Sequence, residues 1–284
     1  MHFLKSVYVV AFIIGSVALT LYAGLAIYGG GPILAWGGVL LTIVPFVLTL
    51  GWIMAAKRTA RTSARFPRII ALGALGVGLT LWSYWQQSGP GLAVILAGFG
   101  WLSFLGYSYW YSSFTDRSSQ IEVGKTLPDF TLINTKGDTL RTSDLANKAS
   151  IFMFYRGNWC PLCVAQIKEI TAIYQQLEAA NIRIALISPQ PHKYTIGLAK
   201  KFNVGFEFYT DTGNKAARIL GISSPFGLPF GLQAMGYNSE TVLPTIIITD
   251  ANGTVLWTDE TDNYRVRPEP DVFLAVLRQH GITV

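Results

Sequence analysis

This chain of 284 residues is 51% apolar and only 13% charged, against about 25% charged in soluble domains, which excludes a wholly soluble protein. Its formal charge of +6 belongs to the first part: residues 1–111 hold six Lys/Arg and no acid, and residues 112–284 hold sixteen of each. No cationic surface suited to nucleic acid is expected, and two cysteines in one short motif exclude both a multi-bridge scaffold and a four-ligand zinc site.

Val7 to Tyr28 is an uncharged apolar run long enough to cross the roughly 30 Å of bilayer hydrocarbon. Its apolar core is longer than that of a cleaved signal peptide, so it reads as a retained span. Ile33 to Ala56, Ile69 to Trp85 and Leu92 to Tyr111 read as three more, divided by Gly29-Gly30-Gly31-Pro32, a basic loop and the turn from Gln86 to Gly91. Residues 1–111 are therefore expected to form a four-span α-helical transmembrane bundle in the lipid bilayer, with Trp82, Trp85, Trp101 and Trp110 among the aromatic residues near its ends. The loop bearing Lys57, Arg58, Arg61, Arg65 and Arg68, with Lys5 ahead of the first span, predicts a cytoplasmic loop. An even span count then returns the remainder of the chain to that face, as in a bacterial inner-membrane protein.

The bundle has no acid, no cysteine and only His2 as a histidine, so proton relays, paired-histidine haem and a transmembrane thiol relay are not expected. An anchor with small-residue packing at Gly73, Gly76 and Gly78 is favoured over a transporter.

Residues 112–122 read as a linker, and 123–284 have the composition of a globular α/β domain. Strands are predicted at Ser150 to Tyr155, Ile182 to Ser188, Thr245 to Thr249 and Val255 to Thr258. Helices are predicted at Pro161 to Ala179, Tyr194 to Phe202, Asn214 to Leu220 and Pro270 to His280. Ser223 to Glu240, rich in Gly, Pro and Phe, reads as an irregular insertion.

One motif carries chemistry. Tyr155-Arg156-Gly157-Asn158-Trp159-Cys160-Pro161-Leu162-Cys163 sits at a strand-to-helix junction, and the unpaired N–H groups of a helix start can lower a thiol pKa. Pro161 suits the first helical turn, and Cys163 falls one turn beyond Cys160, within bridging reach. On this reading Cys160 is the acidic nucleophile, and Cys163 is the more buried, less acidic partner that releases a mixed disulfide. Two packed structural cysteines and half of a metal site are the competing readings. A metal would need His192 and His280, which read as a loop residue and a C-terminal helix residue. No cofactor and no metal are assigned.

From about Ile121 to Leu277 the chain resembles the peroxiredoxin-like (redoxin, AhpC/TSA-type) branch of the thioredoxin superfamily. The likeness rests on Val123-Gly124-Lys125-Thr126-Leu127-Pro128-Asp129-Phe130, Lys136-Gly137-Asp138, the YRGxWCPxC string, Ile187-Ser188-Pro189-Gln190, Asp211 before Ala216-Ala217-Arg218, and Leu243-Pro244-Thr245. The resemblance implies an α/β thioredoxin-like domain with a central mixed sheet flanked by helices. It also implies that Pro244 is a cis-proline facing Cys160, and that electrons come from a thiol donor such as a thioredoxin or glutathione system. Where typical peroxiredoxins carry Thr or Ser three residues before the peroxidatic cysteine, this chain has Gly157. Missing donors to a departing oxygen should weaken peroxide cleavage, so a membrane-anchored thiol-disulfide oxidoreductase is expected. An antioxidant thiol peroxidase and a non-catalytic binding module are the alternatives. Arg156 reads equally as thiolate support or as a surface ion-pair residue, and Trp159 as a shield of the thiols or a cap on the core. Tyr264, Arg265 and Arg267 read as solvated surface.

Overall fold

The computed structural model describes residues 2–56, 59–114, 118–202 and 204–284. Lys57 and Arg58 of the basic loop, and residues 115–117 of the expected linker, lie outside them. The chain divides into two compact units, one of Leu4–Ala56 with Thr62–Ser113, the other of Met1–Phe3, Lys57–Arg61 and Phe114–Val284.

The first unit is built from α1 (His2–Tyr28), α2 (Ile33–Ala56), α3 (Pro67–Trp85) and α4 (Gly91–Leu105). α1, α2, α3 and the continuous helical segment Gly91–Tyr111 that begins with α4 are each long and apolar enough to span a membrane, with mean hydropathy between 1.2 and 2.3. Large apolar side chains such as Leu21, Leu25, Ile95 and Phe99 are more than 60% exposed, an arrangement compatible with lipid rather than water. Small residues let the helices approach. A Cβ at Gly76 would collide with the Gly38 carbonyl of α2, and one at Gly73 with the Trp101 ring, whose Nε1 donates to Ile70 O at 3.0 Å. Gly78 has nothing within 4 Å and takes no part. The last predicted span does not stay α-helical: Gly106–Tyr111 is a π-helix, and the Ser112 hydroxyl returns to Tyr107 O at 2.7 Å.

The second unit holds β1 (Thr131–Asn134), β2 (Thr139–Arg141), β3 (Ser150–Phe154), α5 (Pro161–Ile170), α6 (Tyr174–Ala179), β4 (Arg183–Ser188), α7 (His192–Phe202), β5 (Glu207–Thr210), α8 (Lys215–Ile219), β6 (Ser223–Ser224), β7 (Thr241–Val242), β8 (Thr245–Thr249), β9 (Val255–Asp259) and α9 (Pro270–Gln279). Seven strands form one mixed sheet in the order β2-β1-β5-β4-β3-β8-β9. β3 and β4 run parallel, as do β4 and β5, while β8 flanks β3 antiparallel. Every residue of β3 and β8 is buried, as expected of central strands covered on both faces.

The predicted helix from Pro161 to Ala179 is broken at Thr171–Ile173, a 3₁₀ turn. There the Thr171 hydroxyl bonds back to Lys168 O at 2.6 Å, a competitor for the helical ladder that bends helices. β1, β2 and β5 carry too little alternation over three or four residues to be read from sequence. The sheet matters for function because β3 delivers the chain directly to α5 at the carboxyl ends of the parallel strands, where α/β folds gather their reactive groups.

Candidate active site

Cys160 is the N-cap of α5, with Pro161 in its first turn. The Cys163 and Val164 N–H groups both donate to the Cys160 carbonyl, at 3.1 and 3.2 Å, so neither is turned on the Cys160 sulfur. Both thiols are reduced and buried, Cys160 3% exposed and Cys163 not at all. This reverses the acidity expected from sequence. The Cys160 S–H donates to the Cys163 sulfur; that bond, together with burial, raises the Cys160 pKa well above the ordinary thiol value. Burial opposes ionisation of Cys163, yet the same bond, the charges of Arg267 and Arg156 and the Arg156 backbone lower its pKa to about 5. The two arginines thus favour the charged form of the pair, and Arg267 does so in contact with Cys163.

Two arginines supply the field. Arg267, 5% exposed, donates through Nη2 to Cys163 Sγ at 3.4 Å and through Nη1 to Gln166 Oε1 at 2.8 Å. Its segment is held in turn by Arg61, whose guanidinium donates to the Arg267 and Pro268 carbonyls at 3.1 and 3.2 Å and pairs with Glu169 at 2.5 Å. Arg156 is 6% exposed, donates to the Gly227 carbonyl, and lies over the Trp159 ring at 4.9 Å and the Tyr264 ring at 5.6 Å. Thus Arg265 and Arg267 are buried, not the surface groups that the sequence suggested, Arg265 being 1% exposed; Arg156, for which a surface ion pair was one of two readings, is buried too. Tyr264 is half-buried. Trp159 is half-buried too, and its indole N–H has no hydrogen-bond partner among the described residues.

The loop from β3 to Cys160 is pinned on several sides. Asn158 N–H donates to Gln190 Oε1 at 2.8 Å, and the Gln190 amide donates to the Tyr155 and Thr195 hydroxyls at 3.1 and 3.2 Å. The Thr241 hydroxyl donates to Arg156 O at 3.0 Å, and Tyr237 donates to Asn158 Oδ1. Gly157 has φ of +144°, and a Cβ there would sit 2.6 Å from Trp159 Nε1. The hydroxyl residue of peroxide-cleaving sites therefore has no room at this position. Tyr237 and Gly227 both come from the irregular insertion, which closes over the loop.

Pairing of Phe154 with Thr245 brings Pro244 alongside the start of the loop. The Leu243–Pro244 bond is trans, contrary to the resemblance: there is no cis peptide among the described residues. His192 opens α7 instead of lying in a loop, with Nδ1 2.9 Å from Thr210 Oγ1, and His280 caps α9. Among the described residues no three His, Cys, Asp or Glu side chains gather to hold a metal ion.

Arg267, Gln166, Gln190 and Tyr237 were not assigned to the site from sequence. Gln190 was quoted only as part of a motif, and Arg267 lies 104 residues from Cys163, a separation that no local pattern bridges.

A mixed sheet flanked by helices, with two thiols at the head of the helix that follows its central strand, resembles the peroxiredoxin fold. The AhpC/TSA family model matches residues 123–258, the stretch that carries both cysteines. The thiol-disulfide oxidoreductase ResA of Geobacillus kaustophilus is 25% identical over 154 residues, covering 54% of this chain and 78% of that protein. The putative peroxiredoxin bcp of Coxiella burnetii is 29% identical over 135 residues, 48% of this chain and 85% of that one. Among solved structures, peroxidoxin BcpB from Mycobacterium tuberculosis aligns with a TM-score of 0.47 and 19% identity, over 56% of this chain and 98% of that one.

Proposed function

We propose that the chain is a membrane-anchored thiol-disulfide oxidoreductase in which Cys160 is the exchanging sulfur and Cys163 the resolving one, with Arg156, Trp159, Pro161 and Pro244 supporting the site. The observation that carries this reading is the pair of free thiols one helical turn apart, with the Cys160 S–H directed at Cys163 and Cys160 the less buried of the two. Passing that proton to Cys163 puts the thiolate on Cys160, the sulfur a partner can reach. Cys160 attacks one sulfur of a disulfide and expels the other as a thiolate, which takes up the proton. Cys163 then attacks Cys160, closing the internal disulfide and expelling the second thiolate. The pair loses two electrons and the substrate gains them; a thiol donor such as a thioredoxin or glutathione system runs the sequence backwards to restore the dithiol.

Trapping tests it. In the detergent-solubilised full chain, Cys163→Ser should accumulate a mixed disulfide at Cys160, identified by mass spectrometry. Absence of that adduct, with full exchange turnover in Cys160→Ser, overturns the assignment.

Peroxide reduction is a second reading, favoured by the buried Arg156 guanidinium beside the thiol pair and opposed by Gly157. Stopped-flow consumption of hydrogen peroxide no faster than by free cysteine rejects it.

The basic loop supports a cytoplasmic redoxin domain. Impermeant labelling of single cysteines introduced after Ala60 and after Tyr111, in a background lacking Cys160 and Cys163, should protect both on the outside of intact cells. Labelling of either one from outside overturns the assignment.

A further inference from the structure

On α5, Cys163 and Gln166 stand three residues apart and so share one face of the helix. Both meet the same guanidinium: Arg267 donates to Cys163 Sγ at 3.4 Å and to Gln166 Oε1 at 2.8 Å, while its Nε donates to Tyr264 O at 3.2 Å. Arg267 is almost wholly buried, and among the described residues no carboxylate lies within ion-pair distance of it. A buried cation needs a countercharge. Besides Arg267, Cys160, Arg156 and Tyr155 are among the ionisable groups acting on Cys163. Of all these, the sulfur is the group Arg267 touches.

We propose that Arg267 poises the redox couple: it pairs with the Cys163 thiolate in the reduced state and loses that countercharge when the two sulfurs join. The disulfide form is thereby disfavoured, so the oxidised chain is a strong electron acceptor and exchange runs toward oxidation of dithiol partners. Stabilising the reduced form of a dithiol is what makes a disulfide oxidising. The inference rests on the thiol-exchange reading above and sets the balance between its two half-reactions: regeneration of the dithiol by a thiol donor is favoured over reduction of a disulfide substrate.

With glutathione disulfide as probe, the Cys160 thiol and the Cys163 thiolate yield the internal disulfide, one glutathione thiol and one glutathione thiolate. Two electrons pass to glutathione, and the single proton of Cys160 goes with them. Arg267 is a positioning residue here, since it acts through the sulfur it holds.

The detergent-solubilised full chain is equilibrated in glutathione buffers of graded ratio, acid-quenched and alkylated, and the disulfide fraction is read by mass. At neutral pH, release of one proton per two electrons makes the wild-type potential fall by about 29.6 mV per pH unit. Arg267→Met should shift the equilibrium at least tenfold toward the disulfide, about 30 mV more reducing, and steepen the pH slope to two protons. Gln166→Leu, which keeps the guanidinium but releases its anchor, should move the same way by less, and Arg267→Lys should restore most of the poise. An equilibrium within twofold of wild type in Arg267→Met overturns the proposal. If that variant does not fold, an unshifted Gln166→Leu together with a two-proton wild-type slope overturns it. Failure of the wild type to form any bridge across the buffer range removes the exchange reading itself, and this proposal with it.

Discussion

Gln190 Oε1 holds the backbone N–H of Asn158 at 2.8 Å, so a side chain from the end of β4 fixes the loop that leads from β3 to Cys160. The same buried amide serves Tyr155 and Thr195, which leaves the group no freedom to turn. Replacing Gln190 by Leu strands the Asn158 N–H and takes one donor from the Tyr155 and Thr195 hydroxyls, at a cost of about 1–3 kcal/mol. Chemical denaturation of the full chain should show that loss, together with slower thiol exchange at Cys160 two residues away. An unchanged unfolding midpoint would show that water replaces Gln190 without penalty.

Gly157→Ser would restore the hydroxyl of peroxide-cleaving sites in sequence, but not in space. A positive φ of 144° and a Cβ contact of 2.6 Å with Trp159 imply a cost of about 1–3 kcal/mol for a non-glycine residue. The variant should be less stable, should show altered indole emission as Trp159 is displaced, and should gain no peroxidase rate. A stable, faster peroxidase would contradict this geometry.

The pair should carry thiolate character well into acid. Burial opposes ionisation of Cys163, but the Cys160 hydrogen bond and the Arg267 and Arg156 charges outweigh it, lowering the pKa to about 5. Because the folded value is depressed, the stability gained from this ionisation is complete only above the unfolded thiol range near 8.5. It shrinks as pH falls and is gone below about 5. Thiolate ultraviolet absorbance of the reduced chain should therefore persist at pH 6 to 7 and fade near 5. In Cys163→Ser, where Cys160 has lost its acceptor thiolate, the band should move to higher pH. A single transition near the free-thiol value in the wild type would refute the charge placement.

Asp211 links β5 to α8: its buried carboxylate accepts the Ala216 and Ala217 N–H groups at 2.9 and 3.0 Å. Asp211→Ala should cost about 1–2 kcal/mol through those unmet donors, whereas Asp211→Asn, which keeps one acceptor, should cost less. Thermal unfolding of the two variants orders them. Equal melting temperatures would show that the cap contributes nothing.

Much of the architecture was legible because its signals are local. The first three apolar runs emerged as α1 to α3, residue for residue at α2, the fourth as α4 and the π-helix after it, and Ser150 to Tyr155 and Thr245 to Thr249 emerged as β3 and β8, since continuous apolar runs bounded by polar residues mark buried strands. The edge strand β2 and the inner strands β1 and β5 stayed hidden, because three or four residues of mixed polarity acquire their pairing from neighbours elsewhere in the chain. At the site, Cys160, Pro161 and Cys163 were evident from spacing. Arg156 was noticed but left between two roles, and Arg267 was misread as surface, since burial of an arginine depends on what folds over it.

By itself the amino-acid order determined the apolar helices, the strand-to-helix junction and the presence of two thiols one turn apart, all set by periodicity and turn chemistry within a few residues. Which sulfur carries the charge was decided only in three dimensions. The local rule favoured Cys160, at the head of the helix; the fold instead turns the helical N–H groups onto the Cys160 carbonyl and brings Arg267, from just before α9, against Cys163. Charge stabilisation depends on distance and burial, and in this protein the nearest cation to the second sulfur arrives from the far end of the sequence.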